Sequence, residues 1–278
     1  MSQVLDAARI VAWSAWVGRA QVQQEVLCEE ALRRYAAAVG GHLDVAVEFP
    51  PLGHWAFFLP SPARDALGDD GHPARGGFLP PITLPRRMFA AAEMEFLHPL
   101  DLSRTTALRS TVMDVRHRQA RSGDLVFVEV ERRFTQAVDC VIERQTLVYR
   151  GLSGPVPAPD PIPLVPRDGD EAWRPDVVDL FRFSAATFNS HRIHYDPDYA
   201  GAAEGYPQLV VHGPFTAAKL YALATRRLGR APSRFSFRAS APLFLGAPVR
   251  LGDGERDGEL VAQRCDGEIA MTARVEPQ

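Results

Sequence analysis

Apolar positions along this chain follow two rhythms. Leu125–Phe134 sets Val126, Val128 and Val130 against Phe127, Glu129 and Glu131, which is the period of a strand with one buried face. Arg86–Phe96, Leu108–Arg118 and Cys140–Tyr149 read as strands too, and the short polar breaks between them suggest an antiparallel meander. Pro214–Leu228 has the helical rhythm. Leu220, Leu223, Ala224 and Leu228 form a stripe that Phe215, Ala218 and Ala222 widen, so this helix needs to be wrapped on most sides. Gly213-Pro214 reads as an N-cap glycine followed by proline at the first helical position. Gly229 stops the helix, with Arg226 and Arg227 well placed in its last turn. Strands follow at Arg234–Ala241, Pro248–Leu251, Glu259–Cys265 and Glu268–Val275, the last with Ile269, Met271, Ala273 and Val275 on one face. Shorter helices are predicted at Val26–Ala38, stopped by Gly40-Gly41, and at Val177–Phe188, while His54–Leu84 reads as a loop rich in proline and glycine. Each half therefore reads as helix first, then antiparallel sheet, an α+β plan in which the sheet curls around the helix.

Gly151–Glu171 punctuates the chain with Pro155, Pro157, Pro159, Pro161, Pro163 and Pro166. Each proline lacks an amide donor and fixes φ, so the stretch predicts an extended spacer rather than a helix or a central strand. This gives an N-terminal domain at 1–150, a linker at 151–171 and a C-terminal domain at 172–278.

Composition narrows the function. Of 278 residues, 46% are hydrophobic and 23% charged, as in ordinary globular proteins. The net charge of −3 offers no footprint for nucleic acid or an anionic membrane. Cys28, Cys140 and Cys265 are odd in number and far apart, which fits neither a disulfide framework nor zinc spacing. The apolar stretch Ile10–Val17 has no basic cluster before it, only Arg9 near Asp6, and no small-residue cleavage site after it, so it is not read as a signal peptide. No apolar run approaches the ~20 residues of a membrane helix. A cytoplasmic protein is expected.

The densest polar cluster is Thr187-Phe188-Asn189-Ser190-His191-Arg192-Ile193-His194-Tyr195-Asp196, and Leu209-Val210-Val211-His212-Gly213-Pro214 follows a short loop later. His194, with an ordinary pKa of ~6.5, can move a proton near neutrality. Asn189 can orient a water through its donor and acceptor. Gly213 opens a helix, where a free amide and the positive end of the dipole suit an oxyanion. Such parts suit addition of water beside a carbonyl. Glu204 is either a solvated loop acid or a base. Arg192, Arg234 and Arg238 are either surface arginines or partners for phosphates. His191 and His212 read as structural. A metal reading of His191, His194 and His212 lacks a carboxylate at ligand spacing, and no metal or other cofactor is expected.

Asn189 to Ala200, followed by Val210-Val211-His212-Gly213, resembles the signature of the MaoC-like hydratases and dehydratases: Asp-x-Asn-Pro-aliphatic-His, five residues, then Ala or Ser, followed later by aliphatic-x-His-Gly. Ile193, His194, Ala200 and Gly213 match, whereas Asn189, His191 and Arg192 stand where the family has Asp, Asn and Pro. The signature run, with Glu204-Gly205-Tyr206-Pro207, Leu84-Pro85-Arg86-Arg87-Met88 and Gln145–Arg150, is similar to a two-domain branch containing mesaconyl-C4-CoA and itaconyl-CoA hydratases. The resemblance implies a double hot-dog fold, a CoA thioester as partner, a homodimer, and one active site per chain, since the first half carries no histidine signature. It implies Asn189, His194 and Gly213, with Glu204 as a candidate replacement base, as catalytic residues; Arg192, His212 and Arg238 are the candidate substrate-binding residues. A second substrate carboxylate would need a cation, for which Arg192 or Arg86 is the expectation. The alternatives are a 3-hydroxyacyl-thioester dehydratase and a non-catalytic acyl-CoA binding module.

Overall fold

The computed structural model describes residues 5–40, 45, 49–120, 123–152, 154–162 and 167–276. Ten strands form one antiparallel sheet: β1 (Ala20–Val26), β2 (Arg86–Phe96), β3 (Thr105–Ala120), β4 (Gly123–Thr135), β5 (Asp139–Arg150), β6 (Glu171–Trp173), β7 (Arg234–Ala239), β8 (Val249–Asp253), β9 (Glu259–Arg264) and β10 (Ile269–Glu276). The helices are α1 (Ala7–Ser14), α2 (Glu29–Ala38), α3 (Val177–Ala186), α4 (Pro197–Ala202) and α5 (Gly213–Leu228). Strand order is β1-β3-β4-β5-β2-β7-β10-β9-β8-β6. Read outward from the centre, β2, β5, β4, β3, β1 mirrors β7, β10, β9, β8, β6. The fold is thus a hot-dog unit used twice, the two units joined edge to edge where β2 pairs with β7 from Ala91↔Arg238 to Glu95↔Arg234.

The wrapped helix is α5. Phe215, Ala217, Ala218 and Leu220 are fully buried, and the helix packs on β2, β7, β8, β9 and β10. It begins one residue earlier than the sequence predicts: His212 is the N-cap and Gly213 the first helical residue. Gly229 ends it in the left-handed conformation, φ 67°. In the first half α2 is shorter and packs against α3. There the concave face also receives Leu52–Phe58, which the sequence reading placed largely in a loop. Its apolar run is buried around a short 3-10 turn, Gly53–Ala56. His54 meets Phe96 and Phe134 edge-on, and the Trp55 indole donates to Glu143 at 2.9 Å.

Three other expectations shift. The helix predicted at Val26–Ala38 divides into the end of β1 and α2, and Gly41 lies outside the described residues. Ile269 leaves the inward face because a bulge between Ile269 and Met271 changes the register, while Met271 and Ala273 stay buried. The proline-rich stretch, expected as an extended spacer, is also tied to the second half: the Val156 amide donates to Gly205 O at 2.7 Å, the Ile162 amide to Cys265 O at 2.8 Å, and Glu171 enters β6. Pro163 and Pro166 lie outside the described residues.

Phe215 joins α5 to the site. Its ring stacks on Phe183 of α3 at 4.9 Å and meets Trp173 of β6 edge-on at 5.0 Å. Phe215→Ala is expected to lower the unfolding free energy by about 3–5 kcal/mol, measured by urea denaturation with an unchanged m-value.

Candidate active site

Asn189 follows the end of α3, and the way that helix ends fixes it. Phe188 adopts the left-handed conformation, φ 48°, where glycine is usual. The Asn189 amide then donates to Ser184 O at 2.8 Å and the Phe188 amide to Ala185 O at 3.4 Å, closing a Schellman turn. A non-glycine residue there costs about 1–2 kcal/mol. The Asn189 side-chain oxygen accepts the His191 amide at 3.0 Å. Its NH2 therefore remains as the free donor.

His194 sits in the short turn Arg192–His194 and is 7% exposed. Its Nδ1 lies 2.7 Å from Val210 O, and the Val210 amide returns a bond to Ile193 O at 3.0 Å. A carbonyl only accepts, so Nδ1 carries the proton and Nε2 keeps its lone pair. The ring lies flat on His212, with centroids 3.6 Å apart, and edge-on to His191 at 5.4 Å. Burial, then the neighbouring His212 and His191 rings, drives the His194 pKa well below its usual value. Burial first, then His191, lowers His212 to about 3. His194 is thus a neutral imidazole near pH 7, with an available lone pair.

Gly213 opens α5, and among the described residues no acceptor meets its amide. A Cβ there would lie 3.6 Å from Phe89 O of β2, so the amide sits where the two halves meet. Asn189, His194 and Gly213 all line one cavity of about 780 Å³. Its walls are mainly apolar, with Trp55, Phe58, Phe89, Phe183, Val211 and Met271 among them.

The other expected residues lie elsewhere. Glu204 is buried behind the wall, 3.4 Å from His191 Nε2 and 3.7 Å from Arg86 Nε, and it does not line the cavity. That position does not suit a base for a water in the cavity. His212 is fully buried beneath His194, its Nε2 2.8 Å from Ser184 Oγ, so it supports the site without lining it. Arg192 pairs with Asp196 at 2.8 Å and covers the Tyr199 ring, and Arg238 is exposed on β7; neither lines the cavity. The triad of His191, His194 and His212 is a ring cluster, with His212 stacked on His194 and His191 edge-on to it. Among the described residues the cluster with ligand atoms close enough for a metal is Asp70, His72 and His191 instead.

Sequence reasoning missed the first-half loop that braces the signature. Ser190 Oγ donates to Gly71 O at 2.5 Å, and the Arg192 amide to Asp70 O at 2.9 Å. The His72 ring lies 4.1 Å from that of His191. Gly71 has φ +85°, and a Cβ on it would come within 1.9 Å of Ser190 O, so only glycine fits. The glycines Gly68 and Gly71 are legible as loop formers, but nothing local in the sequence names Ser190 as the partner of Gly71.

Burial keeps three histidines neutral. His72 is lowered to about 3, by burial first, alongside His212 and His194. Below their unfolded pKa of ~6.5 the unfolded chain binds protons that the native chain does not, so stability rises with pH there. Stability is expected to fall progressively as pH drops from about 6.5 towards 3, seen as a declining urea midpoint. Replacing His72 by Gln should flatten that decline.

Comparison with known proteins gives the family and the fold. The sequence profile of the hydroxyacyl-thioester dehydratase type 2 family matches residues 52–245. The chain is 44% identical over 274 residues to the mesaconyl-C4-CoA hydratase of Chloroflexus aurantiacus, covering 95% of this chain and 97% of that one. It is 22% identical over 268 residues to the mitochondrial hydroxyacyl-thioester dehydratase type 2 of Schizosaccharomyces pombe, covering 83% of this chain and 88% of that one. In fold it is similar to a MaoC-like dehydratase from Phytophthora capsici, with TM-score 0.69, 16% identity, and 99% and 98% of the two chains covered. A Mycobacterium tuberculosis protein described as a double hot-dog fold aligns with TM-score 0.55 and 15% identity over 95% and 97% of the chains. The chain belongs to the MaoC-like hydratases and dehydratases, in the part of that family described as hydroxyacyl-thioester dehydratase type 2.

Proposed function

We propose that the protein adds water reversibly across the double bond of a short branched enoyl-CoA, with mesaconyl-C4-CoA giving citramalyl-CoA as the leading reaction. The observation that carries this reading is the neutral His194, whose proton is held on Nδ1 by Val210 O and whose Nε2 is left as a base in the cavity shared with the Gly213 amide. The near full-length identity to a mesaconyl-C4-CoA hydratase supports the substrate.

In this reading the thioester oxygen accepts the Gly213 amide. A water accepts from the Asn189 NH2 and donates to His194 Nε2. As the water oxygen bonds to the β carbon, the π electrons move towards the thioester and His194 takes the proton. The enolate is held by the Gly213 amide and the α5 dipole. The α carbon then takes the proton back from His194, whose low pKa makes the imidazolium a strong acid. Asn189 cannot share the proton, so a single group serves as base and acid. The first half, 1–150, shapes the cavity and the second, 172–278, carries the reaction. The family match favours a second reading, loss of water from a 3-hydroxyacyl thioester, which runs the same steps backwards.

The test follows loss of enoyl-thioester absorbance with mesaconyl-C4-CoA, itaconyl-CoA and crotonyl-CoA. Wild type should consume mesaconyl-C4-CoA, and His194→Ala should lower kcat/KM at least ~100-fold. A wild type inert with mesaconyl-C4-CoA but active on longer 3-hydroxyacyl thioesters supports the dehydratase instead. The rate should also stay flat from about pH 6 to 8, because a depressed base is already deprotonated there. An acid limb centred near ~6.5 would mean that the base has an ordinary pKa.

A further inference from the structure

Mesaconyl-C4-CoA carries a carboxylate on the carbon that receives water. Taking a charge into an apolar cavity is costly unless a partner meets it. Of the two arginines expected for this task, Arg192 does not line the cavity, and Arg86, which does, is already held by the carboxylate and the carbonyl of Glu204. A third arginine, which the sequence did not single out for any role, fits the task.

Arg87 lies on β2, opposite Tyr149 of β5. It shares the concave face with Phe89, since alternate residues of a strand face the same way. It lines the cavity that holds His194, Asn189 and Gly213. Its Nη2 is buried and meets no acceptor at full hydrogen-bond geometry, with the Tyr149 hydroxyl beside the guanidinium. Among the described residues no carboxylate pairs with it within 4.0 Å. The nearby acid, Asp70, is already bonded to the His72 amide at 2.9 Å and lies 3.3 Å from its ring. Arg132, also in the cavity wall, is bonded to the buried Glu143 at 3.2 Å. A buried, unsatisfied guanidinium N–H in a cavity wall is costly to maintain without an anionic ligand.

Reach agrees. Phe89 O marks the Gly213 end of β2, and Arg87 lies two residues along the same face, about 7 Å away. The thioester carbon and the second carboxylate carbon of a butenedioyl thioester are roughly 4 Å apart by ordinary bond lengths. A thioester at Gly213 with its acyl group laid along β2 would bring the carboxylate within reach of the guanidinium.

We infer that Arg87 binds the second carboxylate of the substrate and that the cavity selects acyl-CoA thioesters bearing a carboxylate over those ending in a methyl group. The inference rests on the proposed reaction for its choice of ligand. Its test does not need turnover. Succinyl-CoA and butyryl-CoA differ by carboxylate against methyl, and calorimetry gives the ratio of their affinities. Wild type should prefer succinyl-CoA by about 10- to 100-fold, the strength of one charged hydrogen bond. Arg87→Gln should bring the ratio close to one, and Arg87→Lys should keep part of it, because a lysine retains the charge but loses the fork. No preference in wild type, or a full preference surviving Arg87→Gln, overturns the inference. If Arg87→Gln fails to fold by circular dichroism, an undiminished ratio in Arg87→Lys overturns it as well. A wild type that prefers succinyl-CoA yet leaves mesaconyl-C4-CoA unchanged contradicts the proposed reaction and leaves the carboxylate site standing.

Discussion

The bond from His194 Nδ1–H to the Val210 carbonyl, 2.7 Å long, organises the site. It selects the tautomer, aims the bare nitrogen at the cavity and joins the signature loop to the segment that leads into α5. Burial makes the bond matter more. In that surrounding the charged imidazole is disfavoured, so the ring stays neutral and keeps its lone pair. The ring stack with His212 holds the imidazole from behind, and His212 in turn bonds Ser184. Ser184 serves twice, because its carbonyl also ends α3 by accepting the Asn189 amide. One helix end therefore positions two of the polar side chains that line the cavity.

The doubled sheet supplies the remainder. The β2–β7 junction brings Phe89 of the first half against Gly213 of the second. The loop from Gly68 to Pro73 reaches across to hold Ser190, His191 and Arg192. The first half carries no histidine signature, but it supplies part of the cavity wall, one side of the loop brace and its arginines. Its concave face is partly filled by Leu52–Phe58, and Glu143 gathers Trp55, Arg132 and Gln145 there.

The parts of this arrangement that depend on local pattern were legible in the sequence. The strands β2 to β5 and β7 to β10 follow from period-two alternation, and α5 from its apolar stripe between Gly213 and Gly229. Asn189, His194 and Gly213 were legible because they lie in two short runs, and the structure brings them to one cavity. What depends on long-range contact was not. β1 is mostly exposed and polar, so alternation does not reveal it. The Gly71–Ser190 contact joins residues more than a hundred positions apart. Glu204 looked like an available acid because a sequence does not show that Arg86 and His191 already surround it. Arg87 resembled its neighbour Arg86 until the structure showed that Glu204 holds Arg86, while Arg87 has no carboxylate partner within 4.0 Å among the described residues.

The most direct test of the account is nitrogen-15 NMR of the His194 ring, assigned by comparison with His194→Gln and followed from about pH 5 to 8. The account predicts a neutral imidazole throughout, protonated at Nδ1 and bare at Nε2. Titration of His194 near ~6.5, or a proton on Nε2 at neutral pH, would contradict it.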